Sequence, residues 1–375
     1  MFFLFCFLLT LFSCTSAPEP VLPEPVPPES VLSESVPQDT VEAVTNRDNL
    51  GEEEEKEEEF FTYGEIPENA ENLPILNFTE VWGYLIAGRE QALKLNYPLS
   101  DLVYFGAEID TYGKLTDVPN RRKLGRFPGR VHLVAACNSR SLAHFILEPE
   151  SAVHRQLVED LLEAAGPYDG LQIDFELIPA RDGDRFLSFL QELRNGLGDK
   201  LFTIALPARR KTLSDDVFDY QKIKPLVDRI FVMAYDEHWS TSEPGSIASL
   251  GWCRSVAEYA LKTVGPEKLV MGLPFYGRTW GSFNPFRAYF HSGIERIRSE
   301  NAITEVVREN GIPTFSYETT VKVTVYYEDI YSLSFRGGMY RDMGVKAIGF
   351  WSLGQEDSTI WNFLKITEKD ADSNS

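Results

Sequence analysis

The sequence has few cysteines and no pattern of them that would organise a fold. The four cysteines show no short paired spacing, which argues against a zinc site or a disulfide framework. They stand at positions Cys6, Cys14, Cys137 and Cys253. Acidic residues outnumber basic ones 57 to 36, giving a net charge of −21. Because nucleic-acid binding depends mainly on Lys and Arg neutralising phosphates, we expect no nucleic-acid partner.

The apolar run at the N-terminus is too short to span a bilayer but has the length of a signal-peptide core. It covers residues 2–12 and is followed by Ser13 and Cys14. This ending resembles a bacterial lipobox, in which the cysteine is lipidated and becomes the first mature residue. We therefore predict a lipoprotein signal peptide over residues 1–13, lipidation of Cys14 and attachment to a bacterial membrane at the cell envelope. A plain secretion signal or an incorrectly chosen start codon is the alternative.

The next segment is rich in proline and glutamate. Between Glu19 and Glu71 there are 17 acidic residues and only two basic ones. Proline removes backbone donors and favours extended backbone, while the glutamates repel one another. We predict a disordered tether over residues 14–77, which would hold a catalytic domain away from the membrane. A linker with no role beyond solubility would have the same composition.

Eight short apolar runs rich in β-formers follow. Residues between several of them, such as 154–165 and 184–197, have the apolar spacing of helices. Continuous apolar runs suit strands that are buried on both faces, as in a parallel sheet. The pattern predicts an α/β fold, a (β/α)8 TIM barrel over residues 78–368, with a doubly wound sheet as the alternative. The runs are 81–86, 102–109, 131–136, 170–175, 201–206, 229–234, 268–273 and 346–351.

The interval between the seventh and eighth runs is too long for a single crossover. Within it, residues 314–327 alternate between apolar and polar side chains, which is typical of an antiparallel hairpin. We therefore predict a small α+β insertion at about residues 282–340.

The fourth run carries polar residues where a barrel places its chemistry. Residues two apart in a strand point the same way, so Gln172, Asp174 and Glu176 should face the barrel axis together. Two acids inside a barrel are costly unless they are paired or functional. Their proximity should raise the pKa of Glu176 and let it act as an acid. The alternative is an inward salt bridge, although no other strand offers an obvious inward base.

Residues 169–176 follow the pattern Asp-Gly-x-x-x-Asp-x-Glu, which resembles the fourth-strand signature of glycoside hydrolase family 18, the chitinases and their relatives. That signature usually reads Asp-Gly-x-Asp-x-Asp-x-Glu, and Gln172 stands at its second aspartate. An amide there, and the run Tyr-Asp-Glu-His-Trp at residues 235–239, resemble the branch of spore-cortex and peptidoglycan hydrolases. Residues 83–84, 233–236, 272–280 and 349–354 also match family motifs in order. The resemblance spans residues 78–365.

The resemblance implies a substrate-assisted glycosidase without metal or organic cofactor. Glu176 would protonate the leaving oxygen, Asp174 would stabilise the positive charge that develops on the substrate acetamide, and Tyr235 would hold the acetamide carbonyl. The substrate-binding residues would be Gln172, Asp236, Trp351, Met233, Tyr84, Tyr276, Arg278 and Trp239. The substrate would be an N-acetylated polysaccharide, with peptidoglycan, chitin and N-glycans all open, and we expect the chain to act as a monomer.

Several residues have a plainer interpretation. Trp351 could be core, Arg278 could form a structural ion pair, and His238 fits a hydrogen-bonding residue at the rim better than a catalyst. The whole barrel could also be a non-catalytic carbohydrate-binding protein, because some members of the family have lost catalysis. A third possibility is an envelope protein whose tether matters more than its pocket.

Overall fold

A computed structural model of the chain describes residues 69–239, 241–281, 288–309, 311–318 and 322–367. The predicted signal peptide, Cys14 and most of the predicted tether lie outside the described residues. Within the described ranges, no helix has both the length and the apolar character that crossing a membrane requires.

Eight parallel strands close into a barrel, as the sequence predicted. Each barrel strand pairs with its neighbours in chain order, and β2 pairs with both β3 and β15, which closes the ring. The barrel strands are β2 (Glu80–Ile86), β3 (Asp101–Ile109), β5 (Arg130–Cys137), β6 (Gly170–Phe175), β7 (Leu201–Pro207), β8 (Arg229–Met233), β9 (Leu269–Pro274) and β15 (Ala347–Trp351). The remaining strands are β1 (Leu76–Phe78), β4 (Leu115–Thr116), β10 (Tyr276–Gly281), β11 (Ala288–Phe290), β12 (Val307–Glu309), β13 (Ile312–Glu318), β14 (Lys322–Tyr326) and β16 (Leu364–Ile366).

The apolar runs are strands because both of their faces are buried. On β6, Leu171, Ile173 and Phe175 belong to the core between barrel and helices. A second, smaller core fills the barrel interior and includes Val103 and Phe231. This two-sided burial explains why the runs are continuously apolar rather than alternating.

Helices cover the outside of the barrel, and five of them begin at a side-chain cap. The capping side chains accept hydrogen bonds from backbone N–H groups of the first helical turn and belong to Ser139, Ser151, Asp219, Ser249 and Asp329. Such caps satisfy donors that a helix start leaves unpaired. The helices are α1 (Arg140–Ile146), α2 (Ala152–Ala164), α3 (Gly183–Gly196), α4 (Tyr220–Ile223), α5 (Leu250–Thr263), α6 (His291–Glu300) and α7 (Ile330–Asp342).

The N-terminal end of the barrel is closed by buried charges. Arg229 binds Glu80 at 2.7 Å, and Arg130 binds Asp101 through two hydrogen bonds of 2.7 Å. His132 contacts Asp101 at 2.8 Å and is fully buried. The expectation that no other strand offers an inward base was therefore wrong. These bases lie at the opposite end of the barrel from Glu176 and are paired with other acids, which places the network where barrels carry stability rather than chemistry.

The insertion is a small antiparallel sheet, and its bounds differ from the prediction. The hairpin of β13 and β14 is present, but β10 also joins this sheet by pairing with β14. The insertion therefore begins at Tyr276 rather than near residue 282. The insertion also ends earlier than predicted, since residues 330–342 form α7, the crossover helix that leads into β15. A capping box of Asp329 and Ser332 sets the start of this helix.

The folded domain begins earlier than the composition indicates. Leu73 and Leu76 are buried, and β1 pairs in parallel with β16 near the C-terminus of the domain. The predicted tether therefore cannot extend to residue 77, because residues 76–78 form a strand. Three-residue strands leave no periodic signal that a sequence could show.

Candidate active site

The two acids of the fourth barrel strand stand at its C-terminal end. Asp174 is on β6 and only 6% exposed, while Glu176 directly follows the strand and is half-buried. The backbone N–H of Glu176 donates to the carbonyl oxygen of Cys137 at 3.2 Å, which extends the pairing of β5 and β6 by one step. The Glu176 side chain is thereby fixed at the mouth of the barrel, where barrel enzymes place catalytic groups.

Burial and mutual repulsion favour the protonated form of this carboxyl pair. Burial raises the pKa of Asp174 well above its ordinary value, and the charge of Glu176 raises it further. Burial likewise raises the pKa of Glu176, with a second contribution from the charge of Asp236. One oxygen of Asp174 is buried without a hydrogen-bond partner among the described residues. The pair is thus suited to hold a proton, and one Asp174 oxygen remains without a described partner inside the barrel mouth.

Gln172 and Tyr84 lie beneath the carboxyl pair rather than at its surface. They are 0% and 1% exposed, and the Tyr84 hydroxyl donates to the side-chain oxygen of Gln172. The Gln172 amide donates in turn to the Thr203 hydroxyl at 3.2 Å. Gln172 occupies a place where a third carboxylate would add charge to the stack, and as an amide it binds its neighbours without doing so. In this structure the two residues support the site from below.

The end of the sixth barrel strand brings a third carboxylate to the same mouth. Asp236 has a φ of 58°, a left-handed conformation that few non-glycine residues adopt. Its carboxylate accepts hydrogen bonds from the Tyr276 hydroxyl at 2.6 Å and from Arg278 at 2.8 and 2.9 Å. Arg278 therefore does form an ion pair, and because its partner is Asp236 the pair belongs to the site. Half-buried Tyr235 lies edge-on to the Tyr276 ring.

Trp351 is half-buried at the end of the eighth strand. Its ring lies 5.1 Å from that of Phe105 and 5.3 Å from that of Tyr84, measured between centroids. One part of the indole thus packs on the barrel core, and the rest is exposed next to the carboxyl pair. The interpretation of Trp351 as a core residue therefore holds for the packed part of the ring, and the exposed part remains available to bind a sugar.

Trp239 and Met233, predicted to bind substrate, and His238, predicted as a rim residue, each have local contacts of their own. Trp239 is 45% exposed and donates to the Thr241 hydroxyl at 2.9 Å. His238 contacts the carbonyl oxygen of Ser246 at 2.7 Å, which fits its interpretation as a hydrogen-bonding residue of the loop. Met233 is half-buried against the core inside the barrel.

Two supporting residues, Phe105 and Thr203, were not predicted from the sequence. Both stand on barrel strands at inward positions, and the alternation within each run would have indicated them. Among the described residues, no group of three His, Cys, Asp or Glu side chains is arranged to hold a metal ion.

A closed (β/α)8 barrel with an acidic pair at the end of its fourth strand and an aromatic ring beside it defines a carbohydrate-active hydrolase of the barrel class. The family model of glycosyl hydrolases family 18 matches residues 147–356. The chain belongs to this family.

Two Bacillus proteins are similar to this chain in sequence. The Bacillus subtilis (strain 168) protein YdhD, whose name describes a sporulation-specific glycosylase, is 34% identical over 214 residues, which cover 52% of this chain and 49% of YdhD. A cortical fragment-lytic enzyme of Bacillus anthracis is 23% identical over 300 residues, covering 72% of this chain and 68% of that enzyme. The chain thus spans about half the length of YdhD.

Solved structures agree on the fold. The spore cortex-lytic enzyme SleL of Bacillus cereus superposes with a TM-score of 0.69 at 20% identity, covering 77% of this chain and 74% of that one. A family 18 chitinase of Cycas revoluta has a TM-score of 0.63 at 19% identity and covers 75% of this chain and 97% of its own. At this identity the likeness concerns the barrel.

Proposed function

We propose that the chain is a retaining glycoside hydrolase that cleaves β-1,4 bonds next to N-acetylglucosamine in peptidoglycan or a chitin-like polymer. The observation that carries this proposal is the buried Asp174 beside the half-buried Glu176, both with raised pKa values, at the mouth of a family 18 barrel. A carboxyl with a raised pKa keeps its proton near neutral pH and can give it to a leaving group.

In the first step the substrate supplies its own nucleophile. Glu176 donates its proton to the glycosidic oxygen while the C–O bond to the anomeric carbon breaks. The carbonyl oxygen of the 2-acetamido group bonds to the anomeric carbon, and an oxazolinium ion forms. The uncommitted oxygen of Asp174 accepts a hydrogen bond from the acetamide N–H and stabilises the new positive charge. The Tyr235 hydroxyl donates to the acetamide oxygen and holds it in line for attack.

In the second step water completes the hydrolysis. The Glu176 carboxylate accepts a proton from water as the water oxygen bonds to the anomeric carbon. The bond between that carbon and the acetamide oxygen breaks, which restores the acetamide and leaves the anomeric configuration retained. Two inversions at one carbon give this net retention.

The other residues of the mouth position the sugar. The exposed part of the Trp351 indole offers an apolar surface to the flat face of a pyranose ring, at the level of the carboxyl pair. Asp236, fixed by Tyr276 and Arg278, presents carboxylate oxygens to sugar hydroxyls. Because Asp236 is already neutralised by Arg278, it raises the pKa of Glu176 less than a free carboxylate would.

The substrate test is release of soluble fragments from purified peptidoglycan by the full chain, followed by mass spectrometry, with chitooligosaccharides in parallel. Names of relatives that describe cortex-lytic enzymes favour peptidoglycan as the first polymer to test. We expect products that end in reducing N-acetylglucosamine. If neither polymer is cut under conditions where the barrel is folded, the proposal fails, and a carbohydrate-binding protein on a retained catalytic scaffold becomes the better description.

We also propose that the chain acts at the cell envelope and is attached to a bacterial membrane through lipidated Cys14. The support is the apolar run over residues 2–12 followed by Ser13 and Cys14. Cells that express the chain and are fed an alkyne-labelled fatty acid should yield a labelled protein in the membrane fraction. Cys14→Ser should remove the label and release the protein from that fraction. Label retained by Cys14→Ser would contradict an anchor at this residue.

A further inference from the structure

A cavity of about 450 Å³ opens next to the ends of the third and fourth barrel strands. Its lining comes from helix α1, which follows β5, and from the segment that follows Glu176. Because the Glu176 N–H is bonded to the Cys137 carbonyl, these two segments leave the barrel side by side. The lining residues are Arg140, Ser141, His144, Pro179, Ala180 and Arg181.

This cavity adjoins the carboxyl pair. Pro179 is three residues beyond Glu176, and an extended chain spans at most about 3.6 Å per residue. Their Cα atoms are therefore no more than about 11 Å apart. A glycan held at Glu176 can reach the cavity with a neighbouring sugar or with a substituent of that sugar.

Two guanidinium groups at the cavity make no hydrogen bond to the protein's own acids within the described ranges. Arg140 is exposed, and its side chain has no hydrogen-bond or ion-pair partner in the part of the chain that the structure describes. The Arg181 side chain is 71% exposed, and its Nε lies 3.9 Å from Asp182, beyond hydrogen-bond distance. Asp182 is itself buried and already bonded by His144 at 2.9 Å and by Arg185 at 3.2 Å.

Acids also lie near the cavity, and none of those that the structure describes pairs with Arg140. Of these acids, Glu148 pairs with Arg185 at 2.8 Å. Asp184 is exposed in the first turn of α3, where a helix start favours an acid. Arginine presents a planar fork that matches a carboxylate, so two uncommitted arginines at one cavity are suited to a carboxylate ligand.

Exposed aromatic rings beside the cavity suit a sugar chain rather than a small anion. Phe145 follows His144 on α1 and is 45% exposed. Tyr112 is 76% exposed, and its neighbour Gly113 is so close to α1 that an added Cβ would lie 3.6 Å from the Phe145 ring. Pyranose rings pack well on exposed aromatic faces of this kind.

We propose that Arg140 and Arg181 form a subsite that binds carboxylate groups carried by the glycan strand next to the bond that is cut. This inference rests on the proposed function and narrows its substrate class. A peptidoglycan strand carries carboxylates on its lactyl ethers and peptides, whereas chitin carries none. The subsite therefore selects an anionic N-acetylated glycan over a neutral one of the same length.

The test measures binding, so that it does not depend on turnover. The full chain with Glu176→Gln is titrated by calorimetry with a tetrasaccharide of alternating N-acetylglucosamine and N-acetylmuramic acid, and with neutral chitotetraose. We expect the anionic glycan to bind about tenfold more tightly at low salt, and less so in high salt. Adding Arg140→Gln and Arg181→Gln should remove that difference and leave the affinity for chitotetraose unchanged.

The matched control removes the same charge elsewhere. Arg155 and Arg296 are exposed on α2 and α6 and do not line the cavity, and their double change to Gln should preserve the preference. Equal affinity for the two glycans in the parent, or an equal loss in the control, would overturn the subsite. Hydrolysis by the wild type is measured separately. A chain that cleaves chitotetraose but binds both glycans equally keeps the proposed function and loses this inference. A chain that cleaves neither glycan but binds the anionic one more tightly keeps the binding subsite and loses the proposed function.

Discussion

Replacing Glu176 by Gln should lower kcat on an N-acetylated glycan by about 1,000-fold, with little change in KM. The amide has nearly the shape of the acid but no proton to give to the leaving oxygen. The binding contacts of Trp351 and Asp236 would persist, so the loss should fall on the chemical step. Initial rates on an unmodified chitooligosaccharide, followed by the release of reducing ends, would measure it.

The pH profile gives the same prediction a second, independent readout. Burial, and then the charge of Asp236, raise the pKa of Glu176 above that of an ordinary glutamate. A group with a raised pKa stays protonated to higher pH, so wild-type activity should fall on the alkaline side as Glu176 ionises. The residual activity of Glu176→Gln should lack that alkaline fall.

A neighbouring glutamate provides the control. Glu237 directly follows Asp236 in the chain, and its side chain accepts a hydrogen bond from the backbone N–H of Ser249 at 2.7 Å. Glu237→Gln keeps an acceptor for that bond, and kcat should stay within a few-fold of the wild type. If Glu176→Gln kept more than a tenth of the activity, another group would have to be the acid.

The barrel was predictable because every one of its strands is buried on two sides. Such burial demands a continuous run of apolar residues, and the eight runs mark the eight strands to within a residue or two at each end. The hairpin of the insertion was predictable for the opposite reason. Towards its turn only one face packs on the insertion's small core, so Phe315, Tyr317, Val323 and Val325 alternate with polar residues.

What depends on long-range pairing left no mark in the sequence. The pairing of β1 with β16 joins residues almost 300 positions apart through strands of three residues. The inward Arg130 and Arg229 read as ordinary strand-start residues until Glu80 and Asp101 are known to lie beside them. Charged residues at strand ends can point in or out, and only the closed barrel decides between these directions.

The same distinction applies to the site. Asp174 and Glu176 could be predicted because strand alternation alone puts them on one face. The ion pair of Asp236 with Arg278 could not, because it joins β10, which has left the barrel for the insertion, to the loop after β8. Arg140 and Arg181 were missed for a related reason: they are far apart in the sequence, and only the pairing of β5 with β6 brings their segments together.

Asp174→Asn should have two effects of opposite sign, a loss of activity and a gain in stability near neutral pH. Activity should fall about 100- to 1,000-fold, because a neutral amide no longer stabilises the oxazolinium charge. Stability should rise because the wild type buries a carboxylate that is 6% exposed, with one oxygen unpartnered among the described residues and with Glu176 nearby. The asparagine removes that buried charge and the repulsion.

The sign of the pH dependence follows from the raised pKa of Asp174. A carboxyl whose pKa is higher in the folded state favours folding fully below its unfolded pKa, and this contribution is lost as pH rises through the folded value. The Tm advantage of Asp174→Asn should therefore be absent near pH 3.5 and grow towards pH 7. At roughly 2 °C per kcal/mol for a domain of this size, a gain of a few degrees is expected by calorimetry.

Asp101 in the same barrel provides a control of opposite sign. Its burial works to raise the pKa, but hydrogen bonds from His132 and Arg130 outweigh burial and hold the pKa of Asp101 below its ordinary value. Asp101 therefore adds stability above its unfolded pKa, and this is lost as pH falls. Asp101→Asn should lower Tm at pH 7, with a smaller loss at pH 3.5. If Asp174→Asn behaved like Asp101→Asn, the carboxyl at 174 would be a paired structural anion. The pKa of Asp174 would then be lowered, as that of Asp101 is. The raised pKa values on which the proposed chemistry of Asp174 and Glu176 depends would be contradicted.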